Sequence, residues 1–246
     1  MKNSHFIIII LFSSFLFSQN KVITPKFGTF IFDKKEIITD NQLYQASVQK
    51  LKKNIIPALK ESIVKEILTD NKKIDTTQLN MMIRRLDDNF DQMLNIGNPN
   101  EKIKFHLKLN DSLITKFQII NDYTENEEII NIKSGLIQGS EYNVDDDSVE
   151  VIKLQEFKNK TKVIHGFKCF KIILIYKENE HVFSDFMRNY THYREMWVTD
   201  KIKLLYHPVI NQKEILEKYY PLQIIEYSDA LKGFTTNYEL EILKLN

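Results

Sequence analysis

From residue 102 the chain alternates with a period of two. In "KIKFHLKL", Ile103, Phe105, Leu107 and Leu109 take one side, and Lys104, His106 and Lys108 take the other. Successive side chains of a strand point to opposite faces, so this spacing predicts a strand with one face on a core and one in water. Few other constraints on a fold are as strong, because a helix cannot hold such a pattern on one side. The turn pair Asn110–Asp111 follows, and "SLITKFQII" returns as the partner strand. Alternation continues through "EIINIKSG", "SVEVIKLQEF", the stretch from Phe167 to Tyr176, "YREMWVTD", "LQIIEY" and "FTTNYELEILKL". With "FGTFIFDKK" near the start, the reading is one antiparallel sheet of about eight or nine strands.

Between the first strand and the rest, the period becomes helical. Leu43, Leu51, Ile55, Leu59, Ile63 and Ile67 recur at steps of three and four or their sums, with Lys and Glu between them. Pro57 lies inside the pattern and is expected to kink or split that helix, because it lacks a backbone donor. A second helix opens on Asp75 with Gln78, carries Leu79, Ile83, Leu86, Phe90 and Leu94, and ends at Gly97 and Pro99. The fold class that follows is α+β, an antiparallel sheet with a helical hairpin inserted at residues 41–95.

The first residues, "MKNSHFIIIILFSSFLFSQNKV", have the layout of a secretory signal peptide. Lys2 gives a basic start, Phe6 to Phe17 an apolar and serine run, and Ser18 a small residue for cleavage. The run is too short for a membrane span, which needs about 20 apolar residues. With no cysteine beside the cleavage point, no lipid anchor is expected there. The expected mature protein is a single domain over 19–246, periplasmic or otherwise associated with the cell envelope, without a transmembrane span. Loss of Lys2 takes the formal charge from +1 to zero. A neutral chain with interspersed signs lacks the basic field that nucleic acid requires. One cysteine gives no internal disulfide framework.

That cysteine, Cys169, alternates with apolar residues in "KTKVIHGFKCFKIILIYKE". Its nearest histidine, His165, would be about 13 Å away along a strand, so the reading is a buried, inert thiol. Gly166 reads as a bulge or bend. His181, Asp185 and His192 fall close together but match no compact zinc spacing. Asp145 to Asp147 lack calcium-loop spacing and read as a solvated turn. No nucleophile elbow, metalloprotease pair or Gly-rich phosphate loop occurs, so the reading is a non-enzymatic protein with no cofactor or metal. The aromatics are more informative. Tyr193 and Trp197 share a strand face, with Phe186 just before them, and large curved sheets often hold apolar ligands.

The C-terminal part resembles the GLPGLI proteins, a family of exported bacterial proteins of unknown function. Their sheet is similar to the half-barrel of the lipoprotein-localisation carriers LolA and LolB. The resemblance is carried by "FGTFIFDKK" and "KFHLKLNDSLITKF", then by Lys162, Ile164, Gly166, Phe167, Cys169 and Lys171 of "NKTKVIHGFKCFKI". "REMWVTDKI" follows, and "YPLQIIEY" stands where the family has its name-giving hexapeptide, with Pro221 and Leu222 retained. The resemblance covers residues 25–35 and 101–245 and implies a curved half-barrel, whose concave face helices commonly plug. The function expected is binding of a lipid or other hydrophobic ligand between sheet and hairpin. Trp197, Tyr193, Phe186, Phe90 and Leu86 are the candidate lining residues. The alternative is a structural or interaction module of the envelope, in which the 41–95 hairpin docks on a protein partner and no ligand is held.

Overall fold

A computed structural model describes residues 21–69, 81, 84–85, 103–131, 136–137, 140–141, 149–178 and 190–245. The alternating segments form β1 (Phe27–Ile38), β2 (Ile103–Asn110), β3 (Leu113–Ile120) and β4 (Tyr123–Asn131). After the two-residue strands β5 (Leu136–Ile137) and β6 (Ser140–Glu141) come β7 (Val149–Ile164) and β8 (Phe167–Glu178). The last three are β9 (His192–Thr199), β10 (Tyr220–Ser228) and β11 (Phe234–Leu245). Two helices stand among the described residues, α1 (Asn41–Thr69) and the short α2 (Lys213–Lys218). The described protein is thus mostly β rather than evenly α+β. Of the second arm of the expected hairpin only residues 81 and 84–85 are described, all helical, and Leu86 and Phe90 lie outside the described residues.

All eleven strands join one sheet in the order β6-β5-β4-β3-β2-β1-β11-β10-β9-β8-β7. Every strand therefore neighbours its sequence neighbour except β6 and β7, which form the two edges. Laid flat, those edges would lie ten spacings apart, roughly 48 Å at about 4.8 Å each. Glu141 and Val149 are only eight residues apart in the chain, and eight extended residues span at most about 28 Å. Connectivity alone therefore forces the sheet to curl.

Three hairpins with described turns, β2–β3, β3–β4 and β7–β8, close in two residues, and in the last two both central residues have positive φ. Asn121 and Asp122 have φ of 49° and 70°, and His165 and Gly166 have φ of 48° and 81°. Positive φ at both central residues is the turn geometry that matches the strand twist, and Asn, Asp and Gly adopt it most readily. Gly166 is thus a hairpin turn, where the sequence suggested a bulge or bend. The bulges of this hairpin lie elsewhere, in β7 between Val151 and Lys153 and between Phe157 and Thr161.

Strand parity sorts the side chains into two faces. Ile172, Met196, Ile224 and Tyr238 follow one another across β8, β9, β10 and β11, and all are buried. Phe32 pairs with Leu240 and Phe105 on the same side. The chain between β9 and β10 packs onto this face. Its Ile202, Leu204, Tyr206, Ile210 and Leu216 belong to the same buried cluster. That segment is held from outside by Ile23, whose N–H donates to Lys201 O (2.7 Å) and whose carbonyl accepts from Lys203 N (2.8 Å).

α1 begins where the β10–β11 hairpin meets it. The Asp40 carboxylate accepts the Leu43 N–H at 3.0 Å, as an N-cap does. Gly233 takes the Thr39 N–H on its carbonyl at 2.8 Å. A Cβ on Gly233 would lie 2.3 Å from Asp40 O, and its φ is +77°, so closeness and conformation both demand glycine. Leu51, Ile55 and Ile56 pack against Ala230, Leu231 and Tyr190. Two details differ from the sequence reading. Leu43 is exposed, because the buried stripe runs through Val48, Leu51, Ile55 and Ile56. The helix also continues unsplit through Pro57, whose side is exposed.

Candidate functional site

The covered face is apolar across β1 and β8–β10 until its end nearest α1, while on β3 and β4 it carries the Lys116–Glu128 pair at 2.9 Å. At the end nearest α1 one rung across β8, β9, β10, β11 and β1 reads Leu174, Arg194, Glu226, Thr236 and Glu36. Arg194 Nε donates to Glu226 Oε1 at 2.5 Å, and its Nη1 donates to Gln212 Oε1 at 3.2 Å. The guanidinium also lies 4.7 Å from the centre of the Tyr176 ring, a favourable place for a cation. Burial opposes the Arg194 charge, but Glu226 and Tyr176 outweigh it, and the guanidinium pKa is raised. Glu226 accepts the Tyr238 hydroxyl as well, and burial first, then Glu226, pushes the phenol pKa up. Glu36 pairs with Lys34 at 2.7 Å, while its Oε2 is buried with no hydrogen-bond partner.

One rung further towards α1, Tyr176 stacks on His192 with centroids 5.3 Å apart. Deeper in the core, His207 is buried between Phe32 and Tyr220, with ring centroids at 4.7 and 5.4 Å. Its Nδ1 accepts the N–H groups of Val209 and Ile210. That fixes the proton on Nε2, and burial drives its pKa down to about 3. A neutral imidazole there organises the 207–210 turn. What the rung offers chemically is a held charge pair and phenols in an apolar wall.

The candidate lining residues fall elsewhere. Tyr193 and Trp197 share a face, as their spacing predicts, but it is the face opposite Met196, and Trp197 packs there, partly buried, against the edge of the buried cluster beside Cys169. Trp197 lies under the Lys162 ammonium, 4.4 Å from the ring centre. Tyr193 stacks on Tyr227 with centroids 5.0 Å apart and planes 7° apart. They therefore lie on the side away from the connection between β9 and β10, while the expected cavity, between the sheet and the 41–95 hairpin, involves residues outside those described. Phe186, Phe90 and Leu86 lie outside the described residues, as do His181 and Asp185. Among the described residues no three His, Cys, Asp or Glu side chains group as a metal site would.

Cys169 is fully buried, and burial raises its pKa to about 12. Its thiol donates weakly to Phe167 O at 3.5 Å. A thiol so far from thiolate at neutral pH is a poor nucleophile.

No protein-family model, curated protein or solved structure matches this chain. Among the described residues, no helix is long and apolar enough to cross a membrane. Sequence reasoning missed Arg194, Glu226 and Gln212. For Arg194 a signal existed: in the alternating strand that holds Trp197 it stands an odd number of residues away, on the side opposite the tryptophan. Gln212 carried none, since it reaches Arg194 from a connection without periodicity.

Proposed function

We propose that this is an exported, non-enzymatic protein of the cell envelope, a half-barrel whose covered, concave face receives the apolar part of a lipid or other hydrophobic ligand. One observation carries the reading: a continuous apolar wall, from Ile130 on β4 to Ile172 on β8, on one face of a sheet that its connectivity forces to curl. Such a wall with a few convergent polar groups is the usual make-up of a site for an apolar molecule. The Arg194–Glu226 rung supplies those groups. The signal-peptide layout of residues 1–18 and the resemblance to exported half-barrel proteins support the compartment.

The test is native mass spectrometry of protein purified from its own envelope fraction, followed by fatty-acid uptake after delipidation. A co-purified lipid mass and saturable uptake are expected, with N-terminal sequencing starting near Gln19. A bare polypeptide mass with no uptake would overturn the carrier reading. The second reading, docking of the 41–95 region on an envelope protein, is favoured by Leu43, which is 51% exposed on α1. It predicts that Leu43→Glu abolishes co-purification of a protein partner and leaves lipid content unchanged.

A further inference from the structure

At the end of the sheet away from α1, a cleft of about 400 Å³ opens between β7, β8, the chain after β9 and the start of β10. It is lined by Lys158, Thr161, Lys168, Phe170, Lys201 and Tyr219, together with Asp200 and the buried Cys169. A bulge exposes it. Phe157 pairs with Lys171 and Thr161 with Phe170, so residues 158–160 have no partners across the ladder and are pushed out of line. Bulges of this kind commonly re-aim side chains beside sites. Phe170 and Tyr219 meet edge to face, with centroids 5.1 Å apart and planes at 89°. Together they give the cleft an aromatic corner.

Its polar groups are unbalanced. Glu156 is already engaged by the Tyr219 hydroxyl at 2.8 Å and by Lys158 at 3.0 Å. Asp200 is held by Lys201 at 3.4 Å. Lys168 makes no ion pair among the described residues. An ammonium group has three donors and no acceptor. Three lysines face two carboxylates, so ammonium donors are left in excess while the nearby carboxylates are engaged. What such a cleft lacks is an acceptor, and its volume is within the range of small-molecule sites.

We propose that this cleft binds a small organic anion, a phosphate or carboxylate carried on a compact aromatic or apolar body. The lysines take the anion and the Phe170–Tyr219 corner takes the body. This goes beyond the carrier reading and is independent of it, since it uses neither the covered face nor the Arg194 rung.

The test is titration calorimetry at low salt with phenyl phosphate, using phenol and inorganic phosphate as its two halves. The full mature chain is compared with Lys168→Met, Lys201→Met and the remote control Lys108→Met. Phenyl phosphate is expected to bind more tightly than either half. Each cleft variant should weaken it about tenfold, the loss of one charge-assisted contact, and Lys108→Met should leave it unchanged. Thermal melts that match wild type establish that the variants fold. Absence of saturable binding, or equal weakening by Lys108→Met, overturns the proposal. A further arm separates a soluble anion from a lipid headgroup, using co-sedimentation with phosphatidylcholine vesicles containing phosphatidylglycerol. If Lys168→Met abolishes vesicle binding and the wild type ignores phenyl phosphate, the cleft is a membrane contact and the soluble-anion proposal fails.

Discussion

One residue further along each strand, the sheet changes character. Ile172, Met196, Ile224 and Tyr238 make a buried rung on the covered face. Lys171, Trp197, Gln223 and Glu239 make the adjoining rung on the open face, continued by Asp33 and Lys104. The first is held by exclusion of water. The second is held by alternating signs, with Lys171–Glu195 at 2.6 Å, Lys104–Glu241 at 2.6 Å and Lys35–Asp33 at 2.8 Å. Lys162 covers the Trp197 ring, and burial lowers its ammonium pKa. The lesson is that apolar character alone does not assign a face. An arginine belongs to the covered side here and the chain's tryptophan to the open one. Position in the ladder decides both, because neighbouring strands in register must present the same parity.

The largest expected effect is at the exception on the covered face. Arg194→Met leaves the Glu226 charge largely buried without its partner and should cost about 3–5 kcal/mol in urea unfolding. Arg194→Met combined with Glu226→Leu should recover most of that loss. If single and double variants are equally destabilised, the pair is not what holds this end of the face.

Next comes the contrast itself, tested with one residue type on neighbouring positions. Ile224 is fully buried on the covered face and Ile225 half-buried on the open face. Ile224→Ala should cost about 2–5 kcal/mol, and Ile225→Ala less than half as much. Equal losses would erase the distinction between the faces.

Cys169 follows, as a buried group with open-face parity. Cys169→Ser should cost about 1–3 kcal/mol, the price of a poorly satisfied buried hydroxyl. Its pKa of about 12 lies above the ordinary thiol value of about 8.5. The folded state therefore favours the neutral thiol, and that contribution is complete below about pH 8.5. It is lost as pH rises towards 12. Denaturant midpoints taken between pH 7 and 10 should slope downward more in wild type than in Cys169→Ala. Rapid labelling of the native thiol by a bulky maleimide would contradict this assignment.

The smallest effect belongs to the open-face ion pairs. Lys104→Met removes an exposed pair with Glu241 and should cost under about 1 kcal/mol, a loss that fades in high salt. A loss as large as that of Ile224→Ala would mean the open face is held by more than solvated charge.

Much of the sheet was legible from alternation. The stretch from Phe234 to Leu245 reads as a strand and is β11 from end to end, and the β2–β3 hairpin lies where Asn110–Asp111 put it. Where alternation carried no apolar residues, the reading stopped short. β4 begins at Tyr123, ahead of "TENEE", whose polar side chains resemble a loop. In α1 the stripe was located but its phase was not. Leu43 fits the helical spacing as well as Val48 does, and only the β10–β11 hairpin selects which of them is buried.

By itself the sequence determined that the chain builds antiparallel strands with one wet face, that a helix interrupts them after the first, and that Cys169 stays chemically quiet. These follow from interactions within a few residues: side-chain parity, turn conformations and the run of apolar neighbours. Only the tertiary structure decided that β1 joins β11 to β2, that the sheet must curl, and that the segment after Thr199 folds back to cover one face. It also decided that Arg194 meets Glu226 and Gln212. Those pairings join residues 18 to more than 200 positions apart. Their selection rests on the closure of the whole ladder and on water leaving a shared face, and a local pattern encodes neither.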